Sequence, residues 1–211
     1  MKWRLAAAAA LLLAACTQSA SHSTGVYLLI DTSGTYNREV RKAEQIVLFV
    51  LGRMQPSDSF AVARIDTASF SERNIVAKAT FDDRPSTANK QKRSFAGQVQ
   101  KFSDDSFASP YTDITGGVLQ AIEFLNEKQP GRKEILIFSD MKEDLAQGYV
   151  RDLPLDLKGF DVVALNVTKL RTDNVDPREY LTRLDQWRSR VEAGGGRWRV
   201  INDLEHLDAL L

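Results

Sequence analysis

The chain has 211 residues with 28 Lys and Arg against 28 Asp and Glu, so its formal net charge is zero. That balance leaves no electrostatic footprint for nucleic acid. One cysteine and two histidines exclude an internal disulfide framework and argue against a zinc site or a His-based triad.

Lys2 and Arg4 form a short basic region ahead of the apolar stretch Leu5–Ala15. A membrane-spanning helix needs about 20 apolar residues, so this stretch reads as a cleaved signal peptide over 1–15. Leu13-Ala14-Ala15-Cys16 resembles the bacterial lipobox. The resemblance implies that Cys16 is the first mature residue and carries a thioether lipid and a palmitate-type acyl chain, the two signals that stable anchoring requires. A residue other than Asp after the cysteine, here Thr17, implies sorting to the outer membrane. Residues 16–24 are then the lipidated cysteine and a small polar tether, and 25–211 form one domain.

Gly25–Asp31 is a continuous apolar run ending in an aspartate, as expected of a strand buried on both faces. Val40, Ala43, Val47, Val50 and Met54 recur at helical spacing, so 37–54 is expected to be an amphipathic helix ended by Pro56 and Ser57. Residues 59–66 and 74–81 read as strands, a hairpin with a longer loop. A helix over 86–102 follows, with Phe95, Val99 and Phe102 on one side. Its Lys90, Lys92 and Arg93 read as a solvated face. After a polar loop at 103–111, Ile114, Val118, Ile122 and Leu125 mark another helix. Gly116 and Gly117 near its start lower helix propensity, and the expected return is a close approach to the sheet. A second central strand over 134–140 also ends in an aspartate. A short helix at 143–150, a strand at 160–167, a helix at 177–193, a strand at 197–201 and a last helix at 203–211 complete the pattern.

Strands separated by helices of this length predict a doubly wound α/β fold, a mostly parallel six-stranded sheet with helices on both faces. Ligands bind such sheets beyond the carboxyl ends of the strands, where the winding reverses. Asp31 and Asp140 both occupy such ends.

The loop at Asp31, "IDTSGTY", opens several chemistries. An aspartic protease needs Asp-Thr-Gly or Asp-Ser-Gly in two copies on a β scaffold; here Ser33 intervenes and no second copy exists. An aspartyl phosphoryl-transfer enzyme wants a second carboxylate where Ser33 stands. Ser33 also lacks the Gly-x-Ser-x-Gly elbow of a nucleophile. Asp31, Ser33 and Thr35 alternate, however, so three oxygen-bearing side chains can converge on one point, as hard cations such as Mg²⁺ prefer. Thr112, before a helix in "SPYTDITGG", and Asp140, in "IFSDM", offer further oxygens. Ser33 and Thr35 can equally cap the following helix, and Asp113 reads as a helix-start residue.

These three segments together resemble the von Willebrand factor type A (VWA) domain with its metal-ion-dependent adhesion site (MIDAS). The family's Asp-x-Ser-x-Ser motif corresponds to Asp31, Ser33 and Thr35, its isolated threonine to Thr112, and its final aspartate to Asp140. Two departures are Thr35 in place of Ser and Met141 where the family often has Gly. The resemblance implies a Rossmann-like VWA fold and a Mg²⁺ site (or Mn²⁺ or Ca²⁺). It also implies adhesion rather than turnover, with a partner protein's Asp or Glu completing the coordination. Tyr36, Tyr111, Met141 and Lys142 are expected to flank the site as a rim that reads the partner. The expected function is that of a non-enzymatic, lipid-anchored binding module of the cell envelope. The alternatives are a metal-independent assembly subunit of an envelope complex and a hydrolase using metal-activated water.

Overall fold

A computed structural model of the chain describes residues 22–34, 39–104, 109–170 and 172–204. The signal peptide, Cys16 and most of the tether lie outside these residues, as do Thr35, Tyr36 and most of the expected last helix.

The elements run β1 (Thr24–Asp31), α1 (Val40–Arg53), β2 (Ser59–Ile65), β3 (Ile75–Thr80), α2 (Pro85–Asp104), α3 (Ile114–Lys128), β4 (Arg132–Phe138), β5 (Phe160–Leu165), α4 (Pro177–Ala193) and β6 (Arg197–Ile201). The sheet order is β3-β2-β1-β4-β5-β6. Every pairing is parallel except β2 with β3, which are antiparallel and joined through a 3-10 turn over Glu72–Asn74. The hairpin reading of those two strands is therefore correct.

The alternation of side chains along β1 divides the core in two. Val26, Leu28 and Ile30 belong to the cluster built with α1 and α2, while Tyr27 and Leu29 belong to the one built with α3 and α4. Both faces are apolar because both are covered, which is why the strand reads as an unbroken hydrophobic run. Each fully buried Leu, Ile or Val there contributes roughly 1.5–3 kcal/mol. Gly117 lets α3 settle on β1: a Cβ at that position would lie 2.9 Å from Leu29 Cδ2. The expected close approach is thus present.

The chain winds from β1 outward to β2 and β3, then returns to place β4 on the other side of β1. The switch point lies between β1 and β4, and a crevice opens at their carboxyl ends.

One expected element is absent. Residues 143–150 form no helix. Asp144 instead makes an antiparallel bridge with Thr112, exchanging N–H···O bonds of 2.7 and 3.0 Å. Those backbone groups are then unavailable to a helix, and Gly148, with φ of 89°, turns the chain away. The segment runs as a strap over the start of α3. The expected 203–211 helix does not begin at its first residues, since 203–204 are non-helical.

Candidate functional site

The register between β1 and β4 aligns Ile30 with Phe138, so Asp31 stands beside Ser139 and Asp140 follows one residue further out. Ser139 Oγ donates to Asp31 Oδ2 at 2.7 Å, and the Ser33 backbone N–H donates to Asp31 Oδ1 at 2.8 Å. Asp31 is wholly buried. The bond from Ser33 folds the loop into a turn closed by the aspartate side chain, which holds Ser33 at the strand end.

Ser33 then meets the second loop. It bridges Ser109 in the parallel sense, and Ser109 N–H donates to the Thr32 carbonyl at 3.1 Å. Thr112 is fixed by its backbone exchange with Asp144, leaving its hydroxyl without a hydrogen bond among the described residues. Asp140 Oδ1 accepts the Lys142 N–H at 2.8 Å.

Ser33, Ser109, Thr112, Asp140, Lys142 and Asp144 line one cavity of about 350 Å³. Three of the expected ligands, Ser33, Thr112 and Asp140, therefore face a common space, and the fourth described one, Asp31, is bonded to the first. The first and last of the segments they come from are more than 100 residues apart in sequence. Among the described residues no trio of His, Cys, Asp or Glu is gathered that would hold a metal. A cation here depends on the hydroxyls.

The electrostatics fit a cation. Burial pushes the Asp31 carboxyl above its ordinary value, against the lowering effect of its bonds to Ser139 and Ser33. Burial first, and then the charge of Asp31, push Asp140 up to about 6, with the bond from the Lys142 N–H opposing them. Two buried carboxyls beside one cavity disfavour each other's charge, and a divalent ion between them would reverse that. The donors are all oxygen and two are neutral hydroxyls with free lone pairs, a set suited to Mg²⁺, Mn²⁺ or Ca²⁺.

The neighbouring residue Asp113 behaves differently. It caps α3, accepting from Gly116 N–H at 2.8 Å and from Ser69 N–H at 3.0 Å, and it pairs with Arg151 at 2.8 Å. A Cβ on Gly116 would overlap the Asp113 carboxylate, so that glycine makes room for the cap. The helix-start reading of Asp113 is correct, and the strap residue Arg151 satisfies it.

The rim differs from expectation at one position. Tyr111 and Lys142 are exposed, but Met141 is completely buried, packed in the cluster beneath α3 and α4. Its backbone is left-handed, φ 64°, the conformation glycine adopts freely. The left-handed turn directs the side chain inward, so Met141 cannot read a partner.

Sequence reasoning did not single out Ser139, which links Asp31 to the Met141 N–H (3.0 Å), or Arg183, whose Nε donates to the Asp140 carbonyl at 2.9 Å. Ser139 follows only from the observed register, which sets Ile30 opposite Phe138 and so puts Ser139, not Asp140, beside Asp31. Arg183 carried no sequence signal, because its role depends on where α4 lands.

No protein-family model matches the chain, and no curated protein matches it. Solved structures do. A von Willebrand factor type A protein from Catenulispora acidiphila aligns with a TM-score of 0.54 at 14% identity, over 90% of this chain and 41% of that one. The pilus adhesin SpaC from Lactobacillus rhamnosus GG, in its open conformation, gives 0.58 at 11% identity over 92% of this chain and 29% of its own. The conserved hypothetical protein BatB from Bacteroides thetaiotaomicron gives 0.51 at 13% identity, over 89% and 95%. This chain thus spans less than half the length of the first two. At these identities the likeness concerns architecture alone, and it agrees with the strand order and the switch-point crevice: the chain has the Rossmann-like α/β fold of von Willebrand A-type domains.

Proposed function

We propose that the chain is a lipid-anchored, extracytoplasmic binding module rather than an enzyme. It grips an Asp or Glu carboxylate of a protein partner through a divalent cation, Mg²⁺ or its close substitutes. Asp31, Ser33, Thr35, Thr112 and Asp140 would hold that cation, Thr35 lying outside the described residues. The observation that carries the reading is the shared cavity of Ser33, Thr112 and Asp140 beside the buried Asp31. When bound, the cation supplies an electrophilic position open to a partner's carboxylate oxygen. The chain's own part is to present neutral hydroxyls, which leave the ion's charge largely uncompensated, and to offer Lys142 and Tyr111 at the mouth.

Placement supports the same reading. The tether from Cys16 joins the sheet at Thr24, and Asp31 ends the same eight-residue strand. At about 3.3 Å per residue the site stands roughly 23 Å from the tethered end, at the opposite end of the strand. That one structural relative is a pilus adhesin is in keeping with protein binding. The lipobox resemblance at Cys16 and Thr17 is in keeping with an anchor in the envelope, on the outer membrane.

The test is capture from an envelope extract by the immobilised full chain, with Mg²⁺ and with chelator. Capture that depends on Mg²⁺ and fails with Thr112→Ala supports the proposal. Capture indifferent to chelator refutes it and favours the metal-independent assembly subunit.

A further inference from the structure

Helix α4 does not touch the cavity, yet it holds the segment that carries Asp140. Arg183, Trp187 and Arg190 recur at helical spacing on one face of it, and each reaches across to the neighbouring loops. Arg183 Nε donates to the Asp140 carbonyl at 2.9 Å, while its terminal nitrogens donate to the buried carboxylate of Asp173 at 3.2 and 2.8 Å. The Trp187 indole N–H donates to the Met141 carbonyl at 3.0 Å. Arg190 donates to Thr115 Oγ1 at 3.0 Å and lies 3.5 Å from Glu143, and Glu143 accepts the Thr115 N–H at 2.6 Å. Thr115 sits in the first turn of α3, three residues after Thr112.

The segment so gripped is strained. Met141 is left-handed without being glycine, a conformation that persists only where the surroundings over-determine it. Here its N–H is bonded to Ser139 Oγ, its carbonyl to Trp187, and its side chain is fully buried. The turn at Met141 also brings the Lys142 N–H back onto Asp140 Oδ1 at 2.8 Å. The direction of the Asp140 carboxylate is therefore set by the backbone of 140–142, and that backbone is set from α4.

We infer that α4 is the positioning element of the cation site, with Arg183, braced by Asp173, and Trp187 orienting Asp140 although neither lines the cavity. This rests on the cation site proposed above. Groups that orient metal ligands change affinity by about 10–100-fold when removed. Trp187 should also report occupancy, because its indole N–H is bonded one residue from a ligand.

The experiment uses the full chain in detergent, titrated with Mg²⁺ and with Mn²⁺ by calorimetry, with indole emission followed in parallel. Trp187→Phe removes the donor and keeps an aromatic ring, though a smaller one. Arg183→Met removes the hydrogen bonds to both Asp140 and Asp173, and Arg183→Lys restores one. Val191→Ala, on the same helix and in the same core cluster, damages packing but removes none of the hydrogen bonds to segment 140–142. The expected result is a loss of about 10-fold in cation affinity for Trp187→Phe and at least that for Arg183→Met. Arg183→Lys should recover part of it, and Val191→Ala should bind as the parent does. In the metal-free chain, Trp187→Phe should also speed hydrogen exchange of the Lys142 amide. Parent-like affinity in both donor variants, or an equal loss in Val191→Ala, overturns the inference while leaving the cation site standing. No cation uptake by the parent chain overturns both.

Discussion

Thr112 and Asp113 are adjacent, both buried, and assigned opposite duties, so exchanging each for alanine separates the cation site from the fold. Asp113→Ala removes the cap on Gly116 N–H, the bond from Ser69 N–H and the partner of Arg151, whose side chain is itself only 17% exposed. A lost N-cap costs about 1 kcal/mol, and breaking a buried ion pair from one side costs about 3–5 kcal/mol. The two overlap, and Arg151 can turn toward solvent, so about 3 kcal/mol is expected. For a chain of this size each kcal/mol moves the thermal midpoint by roughly 2–4 °C, a fall of about 6–12 °C. Thr112→Ala deletes a hydroxyl without a partner among the described residues and one methyl group, a cost below about 1 kcal/mol without cation. With free cation at 100 times its dissociation constant, the parent gains about 2.7 kcal/mol and the Thr112 variant gains almost none. Thermal unfolding followed by circular dichroism, in chelator and in Mg²⁺, reads both quantities. The reasoning fails if Asp113→Ala costs under about 1 kcal/mol, or if Thr112→Ala keeps the full cation-induced rise.

Gly117→Ala drives a Cβ to 2.9 Å from Leu29 Cδ2 and should cost about 1–3 kcal/mol by overpacking; an unchanged denaturation midpoint would contradict the close packing of α3 on β1. Glu134 is fully buried beside Arg132, and burial pushes its carboxyl up to about 7 from the ordinary 4.5. A raised carboxyl favours the folded state below the unfolded value, and that contribution is lost as pH rises through about 7. Glu134→Gln should therefore gain stability over the parent between pH 5 and 8, by at most about 3 kcal/mol, as measured by denaturant titration across that range. A parent and variant that run parallel with pH would refute the assignment.

The parts of the fold that read directly from the chain are those whose periodicity is unambiguous. Strand β1 is apolar on both faces because helices cover both, and α1 buries Val40, Ala43, Val47 and Val50, with Met54 buried just past its end. Strap 143–150 defeated the same reasoning. Its helix-compatible residues are overruled by a bridge to Thr112, a partner about 30 residues away that local propensity does not see. At the site, the ligand types and their strand-end positions were legible, since an aspartate closing a buried strand is conspicuous. The support was not. Ser139 and Arg183 act through register and helix placement, and Met141, expected at the rim, points inward because of a left-handed backbone that composition does not reveal.

The most direct test of the central claim is calorimetric titration of Mg²⁺ into the full chain and into its Asp140→Ala variant. The account predicts saturable uptake of one ion per chain by the parent and none by the variant. No uptake by the parent, or equal uptake by both, would contradict it.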